Sequence, residues 1–570
     1  MRCLISLLPT LFERDLCSNH MLTQGIPELT ISVACLPFWL VTGNLRSLVS
    51  AQSDKATGFV VCATHRWGQP RSPDLPPDDN DEFSDSARRA VGAQKQQAVF
   101  ADSQTFNVTI ALLETVRLFT LMRVLVTQGY PRSKAANDMG WKVSTALVTG
   151  VLSLSAAIAQ DHPVLIHGAR VFDGTAMLGK RDVLLSNGRI AAVGRALRVP
   201  SNAEVIDGRG RTLIPGLIDG HVHVFPGAQG DALRFGVTTM FDMYSIADAA
   251  TIKGWRQQRS SYGRVAEADT FTAGVGATPP GGHPIELFAG QPDAPMPPTL
   301  ATDADENAFM AARVAGGSDY IKILQDDGTR PGRRASLPAF SSERFAAIIR
   351  SAKATGKLVV VHVQQLADAR VAVAGNVDVI EHAICDAPLD PALVKSIVAK
   401  GIAQTATLAV YDGISGADDA RRLVTEPVVA PYLSDTQRGM LSLVWPRPRP
   451  SDFTTALANT RRLARAGAVM VAGTDAPNPT TAFGPSLHLE LALLVRAGLT
   501  PIQALTAATS APARIFHTAD RGRIAKGMRA DLVLVEGDPT KRIIDTRRIV
   551  TIWKNGYTVD RHVGAAPPKS

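Results

Sequence analysis

Cysteine is scarce where it would matter. Of the five in 570 residues, Cys3, Cys17, Cys35 and Cys62 crowd the first stretch and only Cys385 follows. A lone cysteine cannot cross-link a domain to itself, so the later chain is predicted to hold together by packing or by metal, whatever compartment it occupies. Basic runs interleaved with aromatics are missing too. Lys and Arg are scattered, and a net charge of +8 without a basic patch argues against nucleic acid as a partner. No short-period repeat is visible, which argues against a solenoid. The apolar piece 106–127 is interrupted by Glu114, Arg117 and Arg123 and reads as an amphipathic helix rather than a membrane span. What remains, at 45% hydrophobic and 20% charged residues, fits an ordinary soluble protein with room for a large core.

One segment has the pattern of an export signal at an internal position. Met139 to Lys142 makes a short positive start, "VSTALVTGVLSL" is mostly apolar, and Ala157-Ile158-Ala159 offers small residues for cleavage before Gln160. Such a signal normally sits at an N-terminus, so Met139 is expected to be the working start. Residues 1–138, with the loop-like run "RSPDLPPDDNDEFSDS", then form an upstream extension without a stable fold. A secreted or periplasmic protein follows if the signal is used, a cytoplasmic one otherwise, and a membrane contact only if the segment stays uncleaved.

From Gln160 on, both flanks read as β-structure. "VLIHGARVFDG", "DVLLSNGRIAAVG" and "AEVIDGRGRTLIPG" alternate apolar and polar residues around Asp-Gly and Asn-Gly turns, as do "ADLVLVEGDP" and "IVTIWKNGYTVD" near the far end. Between them, eight short apolar runs, from "LIDGHVHV" to "AVMVAGTDAP", alternate with helical stretches such as "SSERFAAIIRSAKATG" and "SDFTTALANTRRLARAG". Thr500-Pro501-Ile502-Gln503 has the cap, first-turn proline and third-position amide of a helix start. The expected fold is α/β, a (β/α)8 TIM barrel over 215–524 with a small composite β-sandwich built from 160–214 and 525–570.

In "LIPGLIDGHVHVFPG", His221 and His223 share one face of a strand because alternate residues point the same way. Two imidazoles side by side make half a metal site. Lys322 lies in the fourth run, His362 ends the fifth, His382 the sixth and Asp475 the eighth. Each has an ordinary reading alone: a polar strand end, a snorkelling lysine, a hydrogen-bonded core histidine, a surface Glu381-His382 pair, a helix cap before Pro477. Six of them at the same end of successive barrel strands point instead to one shared site.

The motifs "PGLIDGHVHV", "GVTTMFD", "YIKIL", "VVVHV", "VIEHA", "GTDAP", "TPIQALTAATSAPARIF" and "GRIAKGMRADLVLVEGDP" resemble the amidohydrolase superfamily over about 163–560. Within it the chain is most similar to the binuclear branch of prolidase-like dipeptidases, Xaa-Arg/Lys carboxypeptidases and ochratoxin-type amidases. The resemblance implies two divalent ions, of a kind that suits zinc. One would be held by His221, His223 and Asp475 and the other by His362 and His382, with Lys322 bridging them as a carbamate formed with carbon dioxide. It implies attack by a metal-bridging hydroxide on an amide or peptide bond, with Asp475 moving the proton to the leaving amine. Lys322 also has the simpler reading of a plain cation that binds an anionic substrate.

His283, in "GGHPIE", is a candidate donor to the carbonyl oxygen. Tyr411 and the loop arginines Arg330, Arg333 and Arg334 are candidate substrate contacts, a bidentate grip on a carboxylate in the case of the arginines. The expected substrate is a dipeptide or an N-acyl amino acid, and homo-oligomerisation is left open. A mononuclear deaminase is disfavoured because Val363-Gln364-Gln365 after His362 holds no acid. The same scaffold would also suit a lactone or cyclic-amide hydrolase, or a binding protein without catalysis.

Overall fold

The computed structural model describes residues 162–288, 296–328 and 337–564. The upstream extension, the signal-like segment and the three loop arginines at 330, 333 and 334 lie outside the described residues. No helix among the described residues is long and apolar enough to cross a membrane.

The N-terminal flank supplies five strands: β1 (Val164–Phe172), β2 (Met177–Ser186), β3 (Arg189–Gly194), β4 (Glu204–Asp207) and β5 (Arg211–Pro215). Asn187-Gly188 turns β2 into β3 with φ of 52° and 75°, the left-handed pair that a tight hairpin of this type requires.

Eight short strands then alternate with helices. They are β6 (Leu217–Val222), β7 (Val237–Asp242), β8 (Asp269–Thr272), β9 (Ile321–Leu324), β10 (Val359–His362), β11 (Val379–Glu381), β12 (Ala403–Thr405) and β13 (Met470–Val471). From β6 to β8 and from β9 to β13, successive strands pair in parallel and in chain order. The order is the one expected of the barrel, but the ladder does not run continuously around it. The strands form a three-stranded sheet, β6 to β8, and a five-stranded sheet, β9 to β13.

At the two seams only isolated parallel bridges occur, Val222 with Ala476 and Ala277 with Ile323. At the first seam β13 ends after two residues, and the chain beyond it stays joined to β6 by the Gly220 amide to the Ala472 carbonyl at 2.8 Å and the His223 amide to the Ala476 carbonyl at 2.7 Å. Glycine is required there, since a Cβ on Gly220 would overlap Val471 and come 2.9 Å from the Ala472 oxygen, and one on Gly473 would lie 2.8 Å from the His221 Cβ.

The helices expected between the barrel strands are present, while the one expected at 106–127 lies outside the described residues. Among them, α1 (Ser342–Ala354) is capped by Ser341 and buries Phe345, Ile348, Ile349 and Ala352 on one face. Short α2 (Leu408–Ile414) follows β12, and α3 (Pro450–Arg465) precedes β13. Beyond β13 come α4 (Pro485–Arg496) and α5 (Pro501–Ala507), the latter with the Thr500/Gln503 capping box.

The chain then returns to its first sheet through β14 (Leu532–Glu536), β15 (Ile549–Lys554) and β16 (Tyr557–Thr558). Leu534 of β14 pairs with Leu213 of β5, so both flanks build one sheet in the order β16-β15-β14-β5-β1-β2-β3, with β4 beside β1. Lys554, fully buried, joins that sheet to the start of β8, with Nζ 2.8 Å from Asp269 and 2.7 Å from Asp531. Arg521 reaches the same Asp269 oxygen at 2.6 Å.

Candidate metal centre

Strand parity builds the site. Tyr320, Val360, Val379, Ala403 and Val471 pack in one buried cluster. Two residues further along the same strands stand Lys322, His362, Glu381 and Thr405. Side chains two apart share a strand face, so an apolar layer is followed by a polar one at the C-terminal ends of the strands.

His221 and His223 arrive from the end of β6, where a register shift between Asp219 and Val222 breaks the alternation. His382 follows β11 with φ 66°, and Asp475 follows β13 with φ 57°. Both leave strand geometry through the left-handed region, which is uncommon for a residue with a Cβ and recurs at working sites.

Four of the six predicted ligands meet at Asp475. Its Oδ1 lies 3.0 Å from His223 Nε2 and 3.3 Å from His221 Nε2, and its Oδ2 lies 3.9 Å from His382 Nδ1. One ligand atom from each of His221, His382 and Asp475 falls within 4.8 Å of the others, as a single cation requires. The imidazoles continue as a chain of neighbours. Ring centroids are 5.2 Å apart for His221 and His223, 4.7 Å for His221 and His382, and 4.2 Å for His362 and His382. Lys322 is 1% exposed, and its Nζ has no hydrogen-bond partner among the described residues. The Nε2 atoms of His221 and His382 are likewise buried without a hydrogen bond. Buried polar atoms are almost always satisfied, so the orphaned nitrogens of His221 and His382 beside Asp475, with a third orphan on buried Lys322, fit a cation.

The electrostatics favour ligand forms. Burial pushes Lys322 down to about 8 and His362 down to about 3, and holds His382 well below the usual imidazole range. These nitrogens therefore keep or readily expose a lone pair. Burial alone would raise Asp475, but His221, His223 and His382 together outweigh that and keep the carboxyl well below the usual carboxylate range. Burial would lower His221, but the carboxylates of Glu381 and Asp475 together outweigh it and raise the ring.

Several orienting residues escape a reading of the sequence alone. Glu381 is fully buried, and His221 Nδ1 donates to its Oε2 at 2.5 Å, which turns Nε2 toward Asp475. The surface Glu381-His382 pair is thus excluded by burial. Thr407 Oγ1 lies 2.9 Å from His382 Nδ1, leaving Nε2 as the open nitrogen. Asp219 accepts from the Thr474 hydroxyl at 2.8 Å and from its amide at 3.0 Å, tying β6 to the residue before Asp475. Asp326 Oδ2 lies 3.2 Å from His362 Nε2. For Glu381 a local signal existed, because in "VDVIEHA" it stands two residues after Val379 and so on the inner face. For Thr407 and Asp219 no local signal points to the role.

His283 is brought to the same cluster. Its ring is 5.2 Å from that of His362, and its Nδ1 is 2.7 Å from Glu286 Oε1. Tyr411 is buried in α2, and its hydroxyl donates to the Ala383 carbonyl at 2.8 Å, directly after His382.

Residues 212–560 match the amidohydrolase family. The chain is 23% identical over 450 residues to an imidazolonepropionase of Streptomyces griseus, covering 72% of this chain and all of that protein. Among solved structures, a Xaa-Pro dipeptidase with bound methionine in its active site is 20% identical with a TM-score of 0.56, covering 70% of this chain and 100% of the other. The ochratoxinase of A. niger is 19% identical with a TM-score of 0.54, covering 71% and 99%. At these identities the solved structures speak for the shared fold.

Proposed function

Because this chain belongs to the amidohydrolase family, we propose that it is a metal-dependent hydrolase of carbon–nitrogen bonds, with a dipeptide or an N-acyl amino acid as substrate. The observation that carries the reading is the convergence of His221, His382 and Asp475 within 4.8 Å, beside the unpartnered Lys322 amine. His221, His223 and Asp475 would hold one ion. His362, His382 and a carboxylated Lys322 would hold the second. A lysine bridges two cations only as an anion, and burial that pushes Lys322 down to about 8 favours the neutral amine that carbon dioxide carboxylates. Bound metal would supply Lewis acidity, activating water near neutral pH and polarising the scissile carbonyl.

The remaining work belongs to the chain's own groups. Asp475 takes a proton on a carboxylate oxygen and delivers it to the leaving nitrogen. Glu381 holds His221 from behind, and Thr407 does the same for His382. His283 is anchored through Nδ1 to Glu286, so its Nε2 is the atom available to the carbonyl oxygen.

A second reading, hydrolysis of a cyclic amide at a mononuclear site, is favoured by the sequence likeness to imidazolonepropionase, since an imidazolone is a cyclic amide. Metal analysis of the protein purified without chelator and with bicarbonate separates the two. About two transition-metal ions per chain, with turnover of dipeptides or N-acyl amino acids that a chelator abolishes, is the expected result. About one ion, with turnover only of a ring such as an imidazolone, would replace the first reading by the second. Metal-free protein inactive on both panels would remove both.

A further inference from the structure

We propose that Glu490, on α4, is a positioning residue for His382, because it caps helix α2 in place of Thr407 and thereby leaves the Thr407 hydroxyl to the imidazole. The proposal rests on the reading of His382 as a metal ligand. Helix α2 (Leu408–Ile414) is buried along its whole length, so water cannot satisfy its first amides. The residue before such a helix ordinarily accepts an amide hydrogen bond with its own side chain, and threonine is well suited to the task. Thr407 makes no such bond. Its Oγ1 is instead 2.9 Å from His382 Nδ1, and its backbone sits at φ 49° and ψ 43°. A β-branched residue stays in that left-handed region only where its surroundings hold it.

The missing acceptor comes from elsewhere in the chain. The Ala409 amide, the second of the helix, donates to Glu490 Oε2 at 2.7 Å. Glu490 is 0% exposed, on a helix that also buries five leucines, His488 and Ser486. A buried carboxyl is costly unless something requires it, and here an orphaned helix terminus does. Helix α2 also holds the far side of the ligand, since the Tyr411 hydroxyl donates to the Ala383 carbonyl at 2.8 Å. His382 is thus gripped at its ring by Thr407 and through the following carbonyl by Tyr411. Glu490 fixes the helix that carries both.

The test is Co2+ binding to the full chain, read by competition with a chromophoric chelator and by the ligand-field absorption of the bound ion, with thermal melting of the metal-free protein alongside. Thr407→Val and Glu490→Leu are each expected to weaken Co2+ binding about tenfold to a hundredfold, the usual loss for residues that orient ligands. The double variant should bind no more weakly than the worse single one, because both act on one path. Glu490→Gln keeps a carbonyl acceptor for Ala409 and should restore near-native affinity and spectrum.

A folded Glu490→Leu with native affinity, or effects that multiply in the double variant, would overturn the proposal. If Glu490→Leu does not fold, Thr407→Val decides. A lowered melting temperature with unchanged Co2+ affinity would make Thr407 the cap and overturn the proposal, whereas lost affinity at a native melting temperature supports it. Wild-type protein that takes up no Co2+ would remove the metal reading itself, and this inference with it.

Discussion

Two lysines of this protein are buried almost completely, and their surroundings could hardly differ more. Lys554 is 0% exposed and sits between the carboxylates of Asp269 and Asp531 at 2.8 and 2.7 Å. Lys322 is 1% exposed and has no hydrogen-bond partner among the described residues. The first joins the flank sheet to the start of β8, at the base of the strands. The second points inward near their C-terminal ends, among imidazoles and Asp475. A buried ammonium with two carboxylates is a structural element. A buried amine without one, pushed down to about 8, is held ready for chemistry.

The comparison breaks most visibly in activity. On the binuclear reading, Lys322→Ala should lower turnover of an amide substrate by about a thousandfold or more, the several kcal/mol of charge stabilisation that bound metal would supply, while circular dichroism stays native. Full activity in that variant would end the binuclear reading. Asp475→Ala should be as damaging.

Stability should reverse the order of the two lysines. Lys554→Met leaves Asp531 buried without its cation and Asp269 with Arg521 alone, and is expected to cost about 3 to 5 kcal/mol in denaturant unfolding. Lys322→Met removes an unpartnered buried amine and should leave the metal-free protein within about 1 kcal/mol of wild type, or above it. Equal losses in the two variants would mean that both amines serve structure alone.

A smaller effect is expected behind the ligands. Glu381→Gln takes the charge from the group that holds His221, and metal affinity should fall about tenfold with little change in melting temperature.

The smallest effect is in acid. Burial would raise Asp269, but Lys554 and the neighbouring arginines outweigh it and hold the carboxyl below its ordinary value. Its contribution to stability is therefore complete above the unfolded value of about 4 and is lost as pH falls from there through the lower folded value. The melting temperature of the wild type should drop across that window more steeply than that of Asp269→Asn.

Much of the site was legible in the sequence because β-strands carry their geometry in their period. His-x-His at 221 and 223, His362 and Asp475 stand where short apolar runs end, Lys322 stands within one, and parity alone puts Lys322 and His362 on the inner face. Glu381 was legible by the same rule yet overshadowed by the histidine that follows it. Thr407 and Glu490 were not, since their roles depend on a cap bond spanning from residue 409 to residue 490. The nearest signal is a charged residue in the leucine-rich "SLHLELALL". The expectation of a continuous barrel went too far. Only an isolated bridge joins β6 to the chain after β13, where β13 has ended after two residues, and no single-strand pattern reveals that.

The sequence by itself determined the alternation of strands and helices, the turn chemistry of the flanks and the ends of the strands where polar residues gather, because these depend on local period and backbone preference. Tertiary structure alone decided which atoms meet: Asp475 with His221 across 254 positions of chain, Lys554 with Asp269, and Lys322 with no hydrogen-bonding side chain among the described residues. Burial and pairing set the charge state of each group, and both are properties of neighbours that only the folded chain assembles.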